Sequence, residues 1–104
     1  MIRQGLAILQ KNWHSILGEV DIIAKTSNGC LVFVEVKSRW GDQESAWDAV
    51  DAKKRERQRR LAMAYLKVNK HPLETPLRFD VVLVDLKTNT ADHYPAAYLF
   101  DREL

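Results

Sequence analysis

Polar and apolar residues alternate along "GEVDIIAK", 18–25, with Val20, Ile22 and Ala24 on one side and Glu19, Asp21 and Ile23 on the other. A period of two is the pattern of a strand. "SNG" at 27–29 signals a hairpin turn. The next strand, 30–37, sets Leu31, Phe33, Glu35 and Lys37 on one face and Val32, Val34 and Val36 on the other. Both faces are apolar at its start, as a central strand requires. Upstream, "AILQKNW" at 7–13 begins a weaker strand pattern. Downstream, "LRFDVVLVDL" at 77–86 predicts a second interior strand and 91–95 a last one, with the "AYLF" tail packed on the sheet. Between these halves lies the irregular connection "WGDQESAWDAV", followed by Asp51 as an N-cap and a helix over 52–69 that "HPLETP" ends. At about 100° per residue, Leu61, Ala62, Tyr65 and Val68 gather on one side of it, and Lys53, Arg57, Arg60 and Lys67 on another.

Strands, then helix, then strands predict an α/β (α+β) fold, a mixed β-sheet with a crossover helix. The chain of 104 residues is long enough for one hydrophobic core, and it has neither repeat nor linker, so a single domain over 1–104 is expected. A hydrophobic share of 46% and a charged share of 29% suit an ordinary globular protein. Charge interrupts every apolar run well short of the roughly 20 residues of a membrane helix. The N-terminus also lacks a basic-then-apolar signal pattern, so no membrane association and a cytoplasmic location are expected. Cys30, the only cysteine, excludes an internal disulfide and a Cys-based zinc cluster within one chain; a buried spectator thiol is expected.

Charge changes the picture at two places. The net charge of +2 conceals "KKRERQRR" at 53–60, six basic residues and one acid. The other place is the hairpin. A two-residue loop, Asn28 and Gly29, would pair residue 21 with 36 and turn Asp21 away from Glu35. A three-residue loop, Ser27 to Gly29, pairs 26 with 30 and sets Asp21 opposite Glu35, Glu19 opposite Lys37 and Ile23 opposite Phe33. The second register is preferred, because it segregates an apolar end from a charged end and puts glycine where a positive φ is needed.

Opposed like charges cost a few tenths to about 1 kcal/mol on an exposed sheet face, and more when desolvated. A divalent cation would offset that repulsion. Asp21 and Glu35 supply hard anionic oxygens, and Mg²⁺ commonly takes one or two carboxylates while keeping waters. Lys37, on the same face, could orient an attacking water or stabilise charge on a phosphorane, which is the chemistry of phosphodiester hydrolysis. The plainer alternative is a solvated, salt-bridged strand end formed by Glu19, Asp21, Glu35 and Lys37. Against it stand the three valines interleaved with Glu35 and Lys37, since unpaired charge in an interior strand is costly.

Asp21, then Glu35-x-Lys37 at the end of a strand, then a basic helix, resembles the PD-(D/E)XK nuclease superfamily. Within it, "GEVDIIA", "LVFVEVKSR", "AWDAVDAKKRERQRRLAMAYL" and "RFDVVLV" resemble the YraN family, small bacterial proteins regarded as endonucleases distantly related to archaeal Holliday junction resolvases. The resemblance runs from Gly5 to Leu99 and rests on four blocks in order, since Glu-x-Lys alone is a weak motif. It implies a restriction-endonuclease-like fold lacking most of the usual N-terminal helix, which would end near Met1. It also implies that Asp21 and Glu35 bind Mg²⁺ or Mn²⁺, that Lys37 is the catalytic lysine, and that Glu19 has a supporting role.

Lys53, Arg57 and Arg60, on one helical stripe, are then candidates for contacts to successive phosphates, joined by Ser38 and Arg39. Trp40 and Trp47 could stack on splayed bases, although core packing or a dimer interface explains a tryptophan more often. His14, His71 and His93 have no ligand spacing, and turn or surface positions suffice for them. Asp80 and Asp85 suit capping or a salt bridge. The expected function is a metal-dependent endonuclease, a hydrolase acting on DNA ahead of RNA, with branched or Holliday-junction DNA as a candidate substrate and a homodimer compatible with paired cuts. The alternatives are a non-catalytic nucleic-acid-binding module with a degenerate nuclease site, or an interaction protein whose strand charges are only structural.

Overall fold

The computed structural model describes residues 5–41 and 52–98. Its elements are β1 (Ala7–Ser15), β2 (Gly18–Lys25), β3 (Leu31–Arg39), α1 (Ala52–Val68), β4 (Leu77–Asp85) and β5 (Thr90–Tyr98). The five strands form one sheet in sequence order. Pairing is antiparallel except between β3 and β4, whose parallel match runs from Leu31↔Leu77 to Arg39↔Asp85. A parallel neighbour requires a crossover, and α1 lies in it. This is the mixed sheet of an α+β fold that the order of patterns predicts. Asp51, Trp47 and the 99–100 end of the "AYLF" tail lie outside the described residues.

The β2–β3 turn has the three-residue form. Thr26 N donates to Cys30 O at 2.9 Å, Gly29 has φ 92°, and Ile23 pairs with Phe33. Leu31 to Val34 are all buried, as befits the central strand. The ladder carries β3 on to Arg39, two residues past the predicted end, because main-chain pairing with β4 does not depend on the apolar pattern.

One side of the sheet packs on α1. Ile23, Leu31, Phe33 and Phe79 bury Leu61, Ala62, Tyr65 and Leu66. Tyr65 stands edge-on to Trp13 (centroids 5.4 Å apart, 86° between planes) and to Phe33 (5.8 Å, 82°). Val68, assigned to the apolar side, is exposed instead, because the core ends at Leu66 and the last turn projects past it. The helix closes with paired bonds from His71 N to Leu66 O (2.8 Å) and Lys70 N to Lys67 O (3.3 Å), with Lys70 at φ 59°. This is a Schellman ending. Leu6, Ala24, Val32 and Val34 form a smaller cluster on the other face. Cys30 is half-buried rather than buried.

The alternation predicted for β2 fails in one place. Val20 joins the core against α1, with Trp13 and on the same side as Ile23, instead of following Ile22 and Ala24. The cause is a local bend. Asn12 has φ 52°, the β1–β2 pairing omits Asn12 and Asp21, and the β2–β3 ladder closes at Ile22↔Val34. Beyond Ile22, towards its own start, β2 therefore leaves β3 and carries the β1–β2 hairpin over the helix. A Cβ on Gly18 would lie 3.7 Å from Leu61 Cδ1.

Candidate active-site cleft

The bend opens a cleft between the departing β2, the middle of β3 and the N-terminal half of α1. One part, of about 170 Å³, is lined by Glu19, Val20, Asp21, Val34, Glu35 and Gln58. An adjoining part, of about 230 Å³, shares Glu19, Glu35 and Gln58 and adds Gly18, Arg57 and Leu61. Three carboxylates thus line one concavity floored by apolar core.

Asp21 is half-buried, and its Oδ2 accepts a 2.8 Å bond from Val36 N, two residues past the last β2–β3 pair. The other oxygen, Oδ1, belongs to the same cleft-lining side chain. Glu35, also half-buried, follows Val34 on β3. Strand alternation puts Lys37 on the face of Glu35, held in register by the unbroken pairing with β4. Glu19 is not set against Lys37 as expected. With the ladder closed at Ile22, Glu19 pairs instead across β1 with His14, its carboxylate 3.8 Å from the imidazole Nε2.

The structure separates the candidate phosphate contacts. Arg57 is exposed and lines the cleft. Arg60 is exposed too, but its Nε turns to Glu56 Oε1 at 3.4 Å. Arg59 also bonds Glu56, with Nε 3.0 Å from Oε2. The Arg59 bond holds the Glu56 carboxyl below its usual range against partial desolvation, and Arg60 adds to the effect. Lys53 lies in α1, with its side chain outside the described ones. Ser38 alternates to the face opposite Glu35, so the cleft does not include it. Arg39 shares the face of Glu35 but is half-buried, and its charge acts on Asp85. Trp40 is exposed, which removes core packing as its explanation.

Gln58 is the cleft residue that pattern reading missed. It lies within one turn of Leu61 and Ala62 on the buried stripe, and a polar residue breaking an apolar stripe is the signal that could have found it.

Two acids outside the cleft have the structural roles expected of them. Asp80 is buried beneath β5; it accepts from Arg78 Nε and Nη2 (2.9 Å each) and from Ala96 N (2.9 Å), and its Oδ2 lies 2.7 Å from His93 Nε2. His93 is thereby a largely buried partner rather than a surface residue. Asp85 Oδ1 accepts from the amides of Gly41 (3.1 Å), Lys87 (2.9 Å) and Thr88 (3.4 Å).

As for a metal, the cleft offers hard carboxylate oxygens, the donor type Mg²⁺ and Mn²⁺ prefer. Asp21 and Glu35 are two such side chains, from neighbouring strands, that line it. No group of three His, Cys, Asp or Glu side chains suited to holding a metal ion occurs among the described residues. No helix among them is long and apolar enough to cross a membrane.

Fold and cleft together define a small α+β domain with a mixed sheet and an acidic cleft on its helix-covered face. The chain belongs to the Uncharacterised protein family UPF0102, which it matches over residues 1–84. It is 45% identical over 82 residues to a UPF0102 protein of Lachnoclostridium phytofermentans, covering 78% of this chain and 69% of that one. With a UPF0102 protein of Pseudomonas paraeruginosa it shares 42% over 89 residues (82% and 68%), and with one of Trichlorobacter lovleyi 37% over 105 aligned positions (94% and 80%).

Proposed function

We propose that this protein is a metal-dependent endonuclease of the PD-(D/E)XK type, hydrolysing phosphodiester bonds in DNA. The observation that carries the reading is the meeting of Asp21 and Glu35 in one cleft, at the point where β2 leaves β3, with Arg57 at its rim. Two carboxylates on neighbouring strands, a lysine two residues on along the same face and a cationic helix facing the opening make a combination suited to a polyanion.

Asp21 and Glu35 would hold Mg²⁺ or Mn²⁺, which when bound offsets phosphate charge and lowers the pKa of water. Lys37 orients the attacking water and balances negative charge as it builds on the phosphate. Arg57 draws in and positions the phosphate backbone. The bond from Val36 N to Asp21 Oδ2 fixes one carboxylate against β3, so its remaining oxygen is presented without loss of rotamer freedom on binding.

The test is cleavage of plasmid, single-stranded and four-way-junction DNA with Mg²⁺ or Mn²⁺ and with chelator. Wild type cuts only with metal, while Asp21→Asn, Glu35→Gln and Lys37→Ala do not. Cutting that survives all three variants overturns the reading. A second reading is a DNA-binding module with a degenerate site, since no group of three side chains suited to holding a metal ion occurs among the described residues. Salt-sensitive binding without any cutting would select it.

A further inference from the structure

We infer that the β1–β2 hairpin tip, Ile16 and Leu17, is an apolar wedge that enters an opened base step of the nucleic acid held in the cleft. The inference rests on the nuclease reading and goes beyond it by naming the substrate feature recognised: a duplex that is unstacked or branched next to the bound phosphate.

The loop contradicts its own turn chemistry. Ser15 pairs with Gly18, leaving Ile16 and Leu17 as a two-residue connection. Such connections favour Asn, Asp and Gly, for their φ and their local hydrogen bonds. Here they are β-branched and aliphatic. Ile16 is fully exposed, at 103% of its reference area, and Leu17 is 42% exposed, so neither contributes to the core. A local rule broken without gain in packing points to function.

The tip is also held in place. Leu17 N donates to Ser15 Oγ at 3.0 Å, the positive φ falls on Gly18 (141°), and Gly18 abuts Leu61 of α1. The next residues, Gly18 and Glu19, line the cleft with Glu35, Arg57 and Gln58. The two apolar side chains thus directly precede, in the chain, residues that line the proposed site together with Arg57.

Charge complementarity selects the partner. A polyanion drawn to Arg57 would bring its bases to the tip. Aliphatic side chains placed so are the wedges with which proteins unstack a base step and kink a duplex.

The test uses the whole chain, in Ca²⁺ to hold back cutting, with duplexes and four-way junctions carrying 2-aminopurine at the candidate step. Binding is read by anisotropy and cleavage separately in Mg²⁺. Wild type should raise 2-aminopurine fluorescence, as unstacking does. Ile16→Ser/Leu17→Ser should lose the rise and about tenfold in affinity for the branched over the uninterrupted duplex, with an unchanged melting temperature because both residues are exposed. If wild type cuts DNA but fluorescence stays flat, or the double variant matches wild type, the wedge is overturned and the nuclease reading stands. If wild type neither binds nor cuts, both fall. A wild-type dimer that becomes monomeric in the double variant, with no fluorescence rise, would reassign the tip to a subunit contact and overturn the wedge.

Discussion

Oδ2 of Asp21 lies 2.8 Å from Val36 N, so a β2 side chain bonds β3 just where the main-chain ladder between the two strands has stopped. The bend and the bond go together: once β2 departs, a carboxylate spans the gap. Asp21→Asn retains an oxygen acceptor and is expected to keep the fold while abolishing metal-dependent cutting. Asp21→Ala also loses about 1 kcal/mol of stability, because water reaches the half-exposed Val36 and replaces much of the bond. Thermal unfolding and the plasmid assay, run on both variants, check the separation.

Asp80 holds β5 to β4 through His93 and the amide of Ala96, and within β4 it pairs with Arg78. Removing one partner of a buried ion pair strands the others, at a cost of about 3–5 kcal/mol. Asp80→Ala leaves Arg78 and His93 without their acceptor, and Arg78→Ala leaves the fully buried Asp80 carboxylate without its guanidinium, so both should lower the urea midpoint. Denaturant titration of the two variants checks this.

Tyr65 joins Trp13 to Phe33 at the centre of the helix-side core. Burial raises its hydroxyl pKa, so the phenol stays neutral through the physiological range. Tyr65→Phe should be nearly neutral; Tyr65→Ala should cost about 3–5 kcal/mol through the cavity left between sheet and helix. Calorimetry would measure both.

Acid should weaken the β3–β4 end of the sheet through Asp85. Burial pushes this carboxyl up, but the amides of Gly41, Lys87 and Thr88 and the charge of Arg39 outweigh it and leave the pKa below the ordinary 3.8. A depressed folded pKa stabilises at pH above the unfolded value and ceases to as pH falls through the folded one. Wild type should therefore melt above Asp85→Asn at neutral pH, with the gap closing below pH 3.8. Melting curves across acid pH test the sign.

Arg57 lines the cleft without the Glu56 contact that occupies Arg59 and Arg60. Arg57→Glu should weaken DNA binding and reduce the slope of log K against log salt by about one. Arg60→Glu should do less. Anisotropy titrations over a salt series resolve the two.

The sheet was legible because it is written in local pattern: alternation in β2, two-sided burial in β3, and a glycine placed to set the turn, which together settle that Ile23 faces Phe33. What pattern could not reach was the bend. A positive φ at Asn12 has no hydrophobic signature, yet with it Val20 turns to the core against α1 and Glu19 pairs with His14 instead of Lys37. The expected pairing of Asp21 with Glu35 does not form, because the ladder closes at Ile22↔Val34; the two carboxylates meet only by lining the same cleft. Which helix residue would face them depends on tertiary packing, as does the burial of His93 against Asp80.

The irregular outer strands have a consequence for behaviour at high concentration. β1 is interrupted by the shift between Ile8 and Gln10 and by Asn12; β5 contains Pro95, which lacks an amide hydrogen, and Ala96 at φ 50°, whose amide is turned inward to Asp80. A sheet grows into fibrils by recruiting further chains along straight, unsatisfied rims. Among the described residues both rims are broken in this way, which shortens the run of aligned donors and acceptors that could template that growth.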